Sequence, residues 1–250
     1  MRFPAMLAFA ALVAASLAHS KEPNMTSQPK ILMIVTSANR MTSGKSTGLW
    51  LEEFAVPYLV FKDAGAVVTV ASPKGGPAPI DDRSAPNAEQ KAKWAGASEV
   101  LRTTKPLAEI DPSGFDAVFL PGGHGTMFDL PGNSVLARIL EAFDARGAVI
   151  AAVCHGPAAF VGPKRKDGKP LVAGRKMTAF TDSEERAVAL DEDVPFLLET
   201  RMRELGAIFE GGPDFKSHAL RDERFVTGQN PASSGAAAQL VLDVLGKPRS

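Results

Sequence analysis

One cysteine in 250 residues leaves no partner for an internal disulfide, so the fold has to be held by its core rather than by cross-links. Excess charge is missing too. Lysine plus arginine and aspartate plus glutamate number 28 each. No basic run stands out, so nothing points to a nucleic acid or a membrane as partner, and the expected ligand is small and not strongly charged. With that lone cysteine and no two histidines close in sequence, zinc has no obvious ligand set. The phosphate-binding Gly-Lys-Ser/Thr and the dinucleotide fingerprint are absent as well, and no cofactor is expected. There is no internal repeat and no low-complexity tract, and 45% hydrophobic content suffices for one substantial core.

What is present begins with a short leader-like segment. Arg2 is a minimal positive region, Ala5 to Leu17 is apolar, and Ser16-Leu17-Ala18 offers small residues for cleavage. The apolar run is too short for a spanning helix, which needs about 20 residues. Residues 1–18 therefore read as a secretory signal, residues 19–29 as a polar linker, and residues 30–246 as a single α/β domain. The expected location is outside the cytoplasm, in the periplasm.

The stretch Ala148 to Phe160 carries the chemistry. Ala148 to Val153 is an apolar, partly β-branched run of the kind a parallel strand covered on both faces shows. Cys154 follows at once, and Gly156-Pro157 leads into a helix start. A nucleophile on such an elbow needs small residues two before and two after it, and Ala152 and Gly156 stand there. The positive end of the helix would favour thiolate over thiol. By count alone a lone cysteine is a small core residue, but the elbow spacing and the adjoining His155 favour a reactive thiol.

Strand and helix alternate along the rest of the chain. Lys30 to Ser37, Val67 to Ala71 and Ala117 to Leu120 read as buried strands, with Lys176 to Phe180, Ala207 to Phe209, Phe215 to His218 and Arg224 to Thr227 as later ones. Helices are expected over Gly48 to Lys62, kinked or restarted at Pro57, and over Ala88 to Lys105, Val135 to Ala145 and Val194 to Leu205, and Gly228 to Ser234 turns into a final Ala/Leu/Val helix up to Leu245. Asp182 or Ser183 would cap a further one. Glu52 and Glu53 are adjacent helix positions, so at most one of them faces a site. The long excursion Pro73 to Pro86 would cover part of the surface or an interface. Pro121 to Gly125, at a strand end, holds Gly122, Gly123 and His124. These glycines could turn an N–H toward an oxyanion or form an ordinary turn, and His124 could be a ligand contact or a polar turn residue. The alternation implies a doubly wound, mostly parallel, flavodoxin-like sheet with helices on both faces, and both glycine loop and elbow at the strands' carboxyl edge.

Four ordered motifs, Ala-Val-Cys-His-Gly-Pro-Ala-Ala-Phe, Leu-Pro-Gly-Gly-His-Gly-Thr-Met-Phe-Asp, Phe-Thr-Asp-Ser-Glu-Glu and Val-Thr-Gly-Gln-Asn-Pro-Ala-Ser-Ser, make the chain resemble the ThiJ/PfpI superfamily. Within it the chain is similar to the heat-shock-inducible branch of glyoxalase III and chaperone proteins. The resemblance implies a class I glutamine-amidotransferase-like fold and a homodimer. It also implies Cys154 as nucleophile, His155 as its neighbour, Glu185 as the acid that orients the histidine, and Glu53 as the glutamate that meets the thiol. Gly123 and the His155 N–H would form the oxyanion hole. The implied activity is glutathione-independent conversion of methylglyoxal, a small 2-oxoaldehyde, to D-lactate through a cysteine hemithioacetal. A cysteine peptidase or amidase on the same nucleophile, a holdase chaperone acting through an exposed apolar patch, and a redox sensor are the competing functions.

Overall fold

A computed structural model describes residues 28–246, so the signal segment and most of the linker lie outside the described residues. The chain runs β1 (Lys30–Ile34), α1 (Leu51–Asp63), β2 (Val67–Ser72), α2 (Ala88–Lys93), α3 (Ala95–Val100), β3 (Lys105–Pro106), β4 (Ala117–Leu120), α4 (Thr126–Asp129) and α5 (Ser134–Ala145). It continues through β5 (Val149–Val153), β6 (Lys176–Met177), α6 (Asp182–Ala187), α7 (Leu198–Glu204), β7 (Ile208–Phe209), β8 (Ala219–Asp222), β9 (Phe225–Gly228) and α8 (Ser234–Leu245). Seven strands form one sheet in the order β3-β2-β1-β4-β5-β9-β8, parallel except for the β8–β9 pair, and β6 with β7 forms a small separate sheet.

The apolar strands are apolar throughout because both faces of the sheet are covered. Alternate residues separate cleanly. Leu32, Ile34, Val118, Leu120, Ile150 and Ala152 face a core shared with α5 and α7 through Leu136, Phe143 and Met202. Ile31, Met33, Phe119, Val149, Ala151 and Val153 face the other core, built with α1, α3 and α8 through Phe54, Phe61, Ala97 and Val241. The order reverses at β1, which has β2 on one side and β4 on the other. Such a reversal opens a crevice at the carboxyl ends of the strands.

Several elements differ from the sequence expectation. Pro57 lies inside one continuous α1 rather than restarting it. Its missing N–H would have bonded to the Glu53 carbonyl, so the helix is loosened at that turn without breaking. The helix expected over Ala88 to Lys105 is two short helices that meet at Trp94, which is buried and turned out of helical geometry. Of Lys176 to Phe180 only the first two residues form a strand, and Phe215 to His218 is no strand, because the antiparallel partner of β9 is Ala219–Asp222. The helix expected over Val194 to Leu205 is shorter, Leu198–Glu204. After the elbow the chain makes a short 3-10 segment, Gly156–Phe160, rather than an α-helix. Thr181, not Asp182 or Ser183, caps α6, in a reciprocal capping box with Glu184.

Candidate active site

β5 ends in Cys154, whose φ of 56° is in the left-handed region that a residue with a Cβ seldom adopts. Such a conformation costs about 1–3 kcal/mol and persists only where the surroundings impose it. Here the Cys154 N–H donates to the Gly228 carbonyl at 2.9 Å, and the Phe180 N–H donates to the Cys154 carbonyl at 3.0 Å. The elbow lies so close to β4 that a Cβ on Gly156 would fall 2.1 Å from the Leu120 carbonyl oxygen. Only glycine fits there, as the small-residue spacing around the thiol requires. The bend presents Cys154 to a cavity of about 230 Å³ lined by Trp50, Gly123, Phe180, Val188 and Phe215, with Arg83, His124 and His155 supplying its polar groups.

His155 is fully buried and its Nδ1 lies 3.2 Å from the Cys154 sulfur. Its Nε2 lies 2.7 Å from Glu185 Oε2, and His124 Nε2 lies 2.7 Å from Glu185 Oε1. One carboxylate thus receives two imidazole N–H groups, which assigns both rings the Nε2–H form and leaves His155 Nδ1 as an acceptor for the thiol proton. Burial opposes charge on Glu185, but the two imidazoles outweigh it and hold the carboxyl well below its ordinary range. His124 is pushed down to about 4, first by burial and then by His155, so it is neutral at physiological pH.

Glu53 approaches the thiol from α1. It is fully buried, accepts the Gly122 N–H at 2.7 Å through Oε2, and leaves Oε1 buried without a hydrogen-bond partner in the protein. Burial raises its pKa to about 8, against the opposing contacts with Cys154 and Gly122, so the side chain is a neutral acid near neutral pH. Its neighbour Glu52 is only half-buried, so one of the two adjacent acids reaches the site and the other does not.

The expectation that a helix end would favour thiolate is corrected. Burial pushes the Cys154 thiol up, and the Glu53 carboxyl pushes the same way, against the opposing His155 backbone contact. A single 3-10 turn offers too little aligned dipole to reverse that. The resting group is a thiol, and its activation has to come from His155.

Gly122, expected among the oxyanion donors, gives its N–H to Glu53 instead. It still has to be glycine, since a Cβ there would meet the His155 nitrogen at 2.6 Å and Glu53 Oε2 at 2.8 Å. Gly123 lines the cavity, and among the described residues no acceptor takes its N–H, while the His155 N–H lies against the sulfur. These two amides are therefore the backbone donors available beside the sulfur. His124 does stand in the turn before α4 and lines the cavity, and it is also the second imidazole on Glu185.

Three residues escaped sequence reasoning. Thr126 Oγ1 sits 2.8 Å from the Gly123 carbonyl and 3.0 Å from the His155 carbonyl, joining the glycine loop to the elbow. Arg83, within the excursion after β2, reaches His124 Nδ1 at 3.2 Å and is held by Asp81. The paired aspartates of that excursion were the only signal. Glu184, beside Glu185, holds the surrounding loops together instead of the imidazoles, since its Oε1 accepts the Phe215 N–H and the Asn230 side-chain amide.

His124, His155 and Glu185 present ligand-type atoms within 4.8 Å of one another, although the histidines are far apart in sequence. Each imidazole turns a protonated nitrogen toward the carboxylate, so these atoms satisfy one another and suit a proton relay better than a cation.

The sequence profile of the DJ-1/PfpI family matches residues 46–243. Glyoxalase 3 of Candida albicans is 31% identical over 85% of this chain and 97% of its own, and a glutathione-independent glyoxalase of Schizosaccharomyces pombe is 32% identical over 88% and 97%. The crystal structure of the Candida glyoxalase III superposes with a TM-score of 0.79, covering 86% of this chain and 97% of that one. The X-ray structure of a rapid encystment protein from Francisella tularensis, 31% identical, superposes at 0.84, covering 88% and 100%.

Proposed function

The chain belongs to the DJ-1/PfpI family, and from that premise we propose that it is a glutathione-independent glyoxalase converting methylglyoxal, or a related small 2-oxoaldehyde, to D-lactate. The observation that carries the reading is the thiol's position between a neutral acid, Glu53, and an imidazole, His155, whose Nδ1 faces the sulfur and whose Nε2 is anchored by an ionised Glu185. Acid and base are thus both in place before substrate arrives.

His155 takes the Cys154 proton as sulfur attacks the aldehyde carbon, and Glu53 gives its proton to the alkoxide that forms, beside the Gly123 and His155 amides. Glu53, now a carboxylate, removes the C1 proton while protonated His155 protonates the C2 oxygen, giving an enediol. Glu53 returns the proton to C2, and His155 removes the C1 hydroxyl proton, leaving a lactoyl thioester on Cys154. Water then attacks. Glu53 takes its proton, His155 returns one to the departing sulfur, and lactate leaves with the site restored. Cysteine here does what glutathione does elsewhere.

The test is D-lactate formed from methylglyoxal without glutathione, by wild type beside Cys154→Ala and Glu53→Gln. Lactate from wild type and from neither variant is expected. A folded wild type with an intact thiol and no lactate would sink the reading.

The same proposal includes export to the periplasm with loss of residues 1–18, and assembly as a homodimer. Support comes from the Arg2, Ala5 to Leu17 and Ser16-Leu17-Ala18 pattern for the first and from family resemblance for the second. Among the described residues no helix is long and apolar enough to cross a membrane.

A further inference from the structure

We propose that Arg83 is a positioning residue: by donating to His124 Nδ1 it fixes His124 as the neutral partner, so that the proton leaving Cys154 is confined to His155. The inference rests on Cys154 acting as the nucleophile.

A continuous chain of hydrogen bonds runs from the excursion after β2 to the sulfur. Thr47 Oγ1 donates to Asp81 Oδ2 at 3.2 Å, and Asp81, itself buried, takes Arg83 at both oxygens, Nε at 2.9 Å and Nη2 at 2.6 Å. Nη2 also lies 3.2 Å from His124 Nδ1. His124, Glu185, His155 and Cys154 complete the chain. Guanidinium has donors only and does not lose its proton, so the nitrogen it faces has to be the unprotonated one. His124 is thereby committed to holding its proton on Nε2, toward Glu185. Accepting a second proton on Nδ1 would break the contact and place two cations together.

The consequence for the relay follows from symmetry. His124 and His155 are two imidazoles on one carboxylate, with ring centroids 4.0 Å apart. Without a bias, either could carry the positive charge that Glu185 stabilises, and only His155 touches the thiol. Arg83 supplies that bias, and its positive charge adds to the burial and the His155 effect that keep His124 neutral. The other groups facing His124 are Glu185 from α6, Phe180, and Asp193, which is paired with Lys45. Those facing Cys154 are Glu53 from α1, Glu184 from α6 and His155, and Arg83 also feels the charge of Cys154. Arg83 is also the one guanidinium among the residues lining the cavity, so it supplies a fixed positive charge without taking part in proton transfer.

The test needs no aldehyde. Alkylation of Cys154 by iodoacetamide forms the S–C bond, expels iodide and sends the thiol proton to His155, so its rate against pH reports on the pair. In Arg83→Ala the midpoint should move up and the rate near neutral pH fall about tenfold, equivalent to one pKa unit. Imidazole nitrogen NMR should show His124 titrating higher than in wild type, though still lowered by its burial and by His155. Arg83→Lys, which keeps a cation and a donor, should restore part of both signals, and Asp81→Asn, which loosens the guanidinium, should fall between. If Arg83→Ala does not fold, the latter two variants carry the decision. Wild-type alkylation profiles together with an unchanged His124 titration would overturn the proposal. Shifted profiles in a protein that makes no lactate would leave the Arg83 role standing and reject the glyoxalase reading instead.

Discussion

Glu53 and Glu185 are the same side chain, both buried beside one thiol–imidazole pair, and they are in opposite states. Glu53 is met by neutral groups alone, the Gly122 N–H and the Cys154 thiol, and by no cation, so burial decides and the acid keeps its proton up to about pH 8. Glu185 is met by two imidazole N–H groups, and these overcome burial and keep it ionised. The difference teaches that the number and kind of donors, not depth, assigns acid and anion in this site.

Breaking the anion side should have the largest effect. Glu185→Ala leaves two buried imidazole N–H groups without an acceptor, at about 1–3 kcal/mol each, and frees His155 to turn away from the thiol. Urea unfolding should show that loss of stability, and lactate formation should be abolished. Breaking the acid side should act on chemistry rather than on folding. Glu53→Gln can still accept the Gly122 N–H but cannot shuttle a proton, so kcat should fall about 10²–10⁴-fold, with little change in the unfolding midpoint at acid pH, where both side chains are neutral.

The pH dependence sharpens the contrast. Glu53, raised from 4.5 to about 8 in the fold, contributes stability that is complete below about pH 4.5 and lost as pH rises through about 8. Glu185 has its pKa lowered, so its contribution is present above the ordinary carboxylate value and lost as pH falls. Unfolding midpoints of Glu53→Gln measured from acid to alkaline pH should therefore gain on wild type as pH rises. A constant difference would mean that folding leaves the Glu53 pKa unshifted. The smallest effect is expected next door: Glu52→Gln, on the half-buried neighbour, should leave lactate formation within about twofold of wild type.

The strands at the centre of the sheet were legible because burial on both faces writes the same message at every position. Ala117 to Leu120 coincides with β4, and Ala148 to Val153 with β5 but for its first residue. The elbow was legible from the small residues it needs, and the pairing of Cys154 and His155 with Glu185 and Glu53 came through family resemblance. Boundaries decided by tertiary contacts were not legible, as at Trp94, or at Phe215 to His218, where β9 selects the next four residues as its partner. Arg83 was hidden for a related reason. It sits in an irregular loop, where no periodicity marks which side chain turns inward, and its importance arises only once His124 has been brought beside it. The thiol's raised pKa was equally out of reach, since it is set first by how deeply the fold buries the sulfur and then by Glu53 arriving from another element.

The pairing of β5 with β9 has a consequence for how activity comes into being. The strand that carries the thiol is made long before the strand whose Gly228 carbonyl fastens the Cys154 amide. While the chain lengthens from its beginning, the elbow has one unoccupied flank and nothing to impose its awkward backbone. The acid for His155 also has yet to be synthesised. Competence therefore arrives late and all at once, with the final βα segment, and any truncation that removes β9 should leave an ordinary, relaxed cysteine in place of a nucleophile.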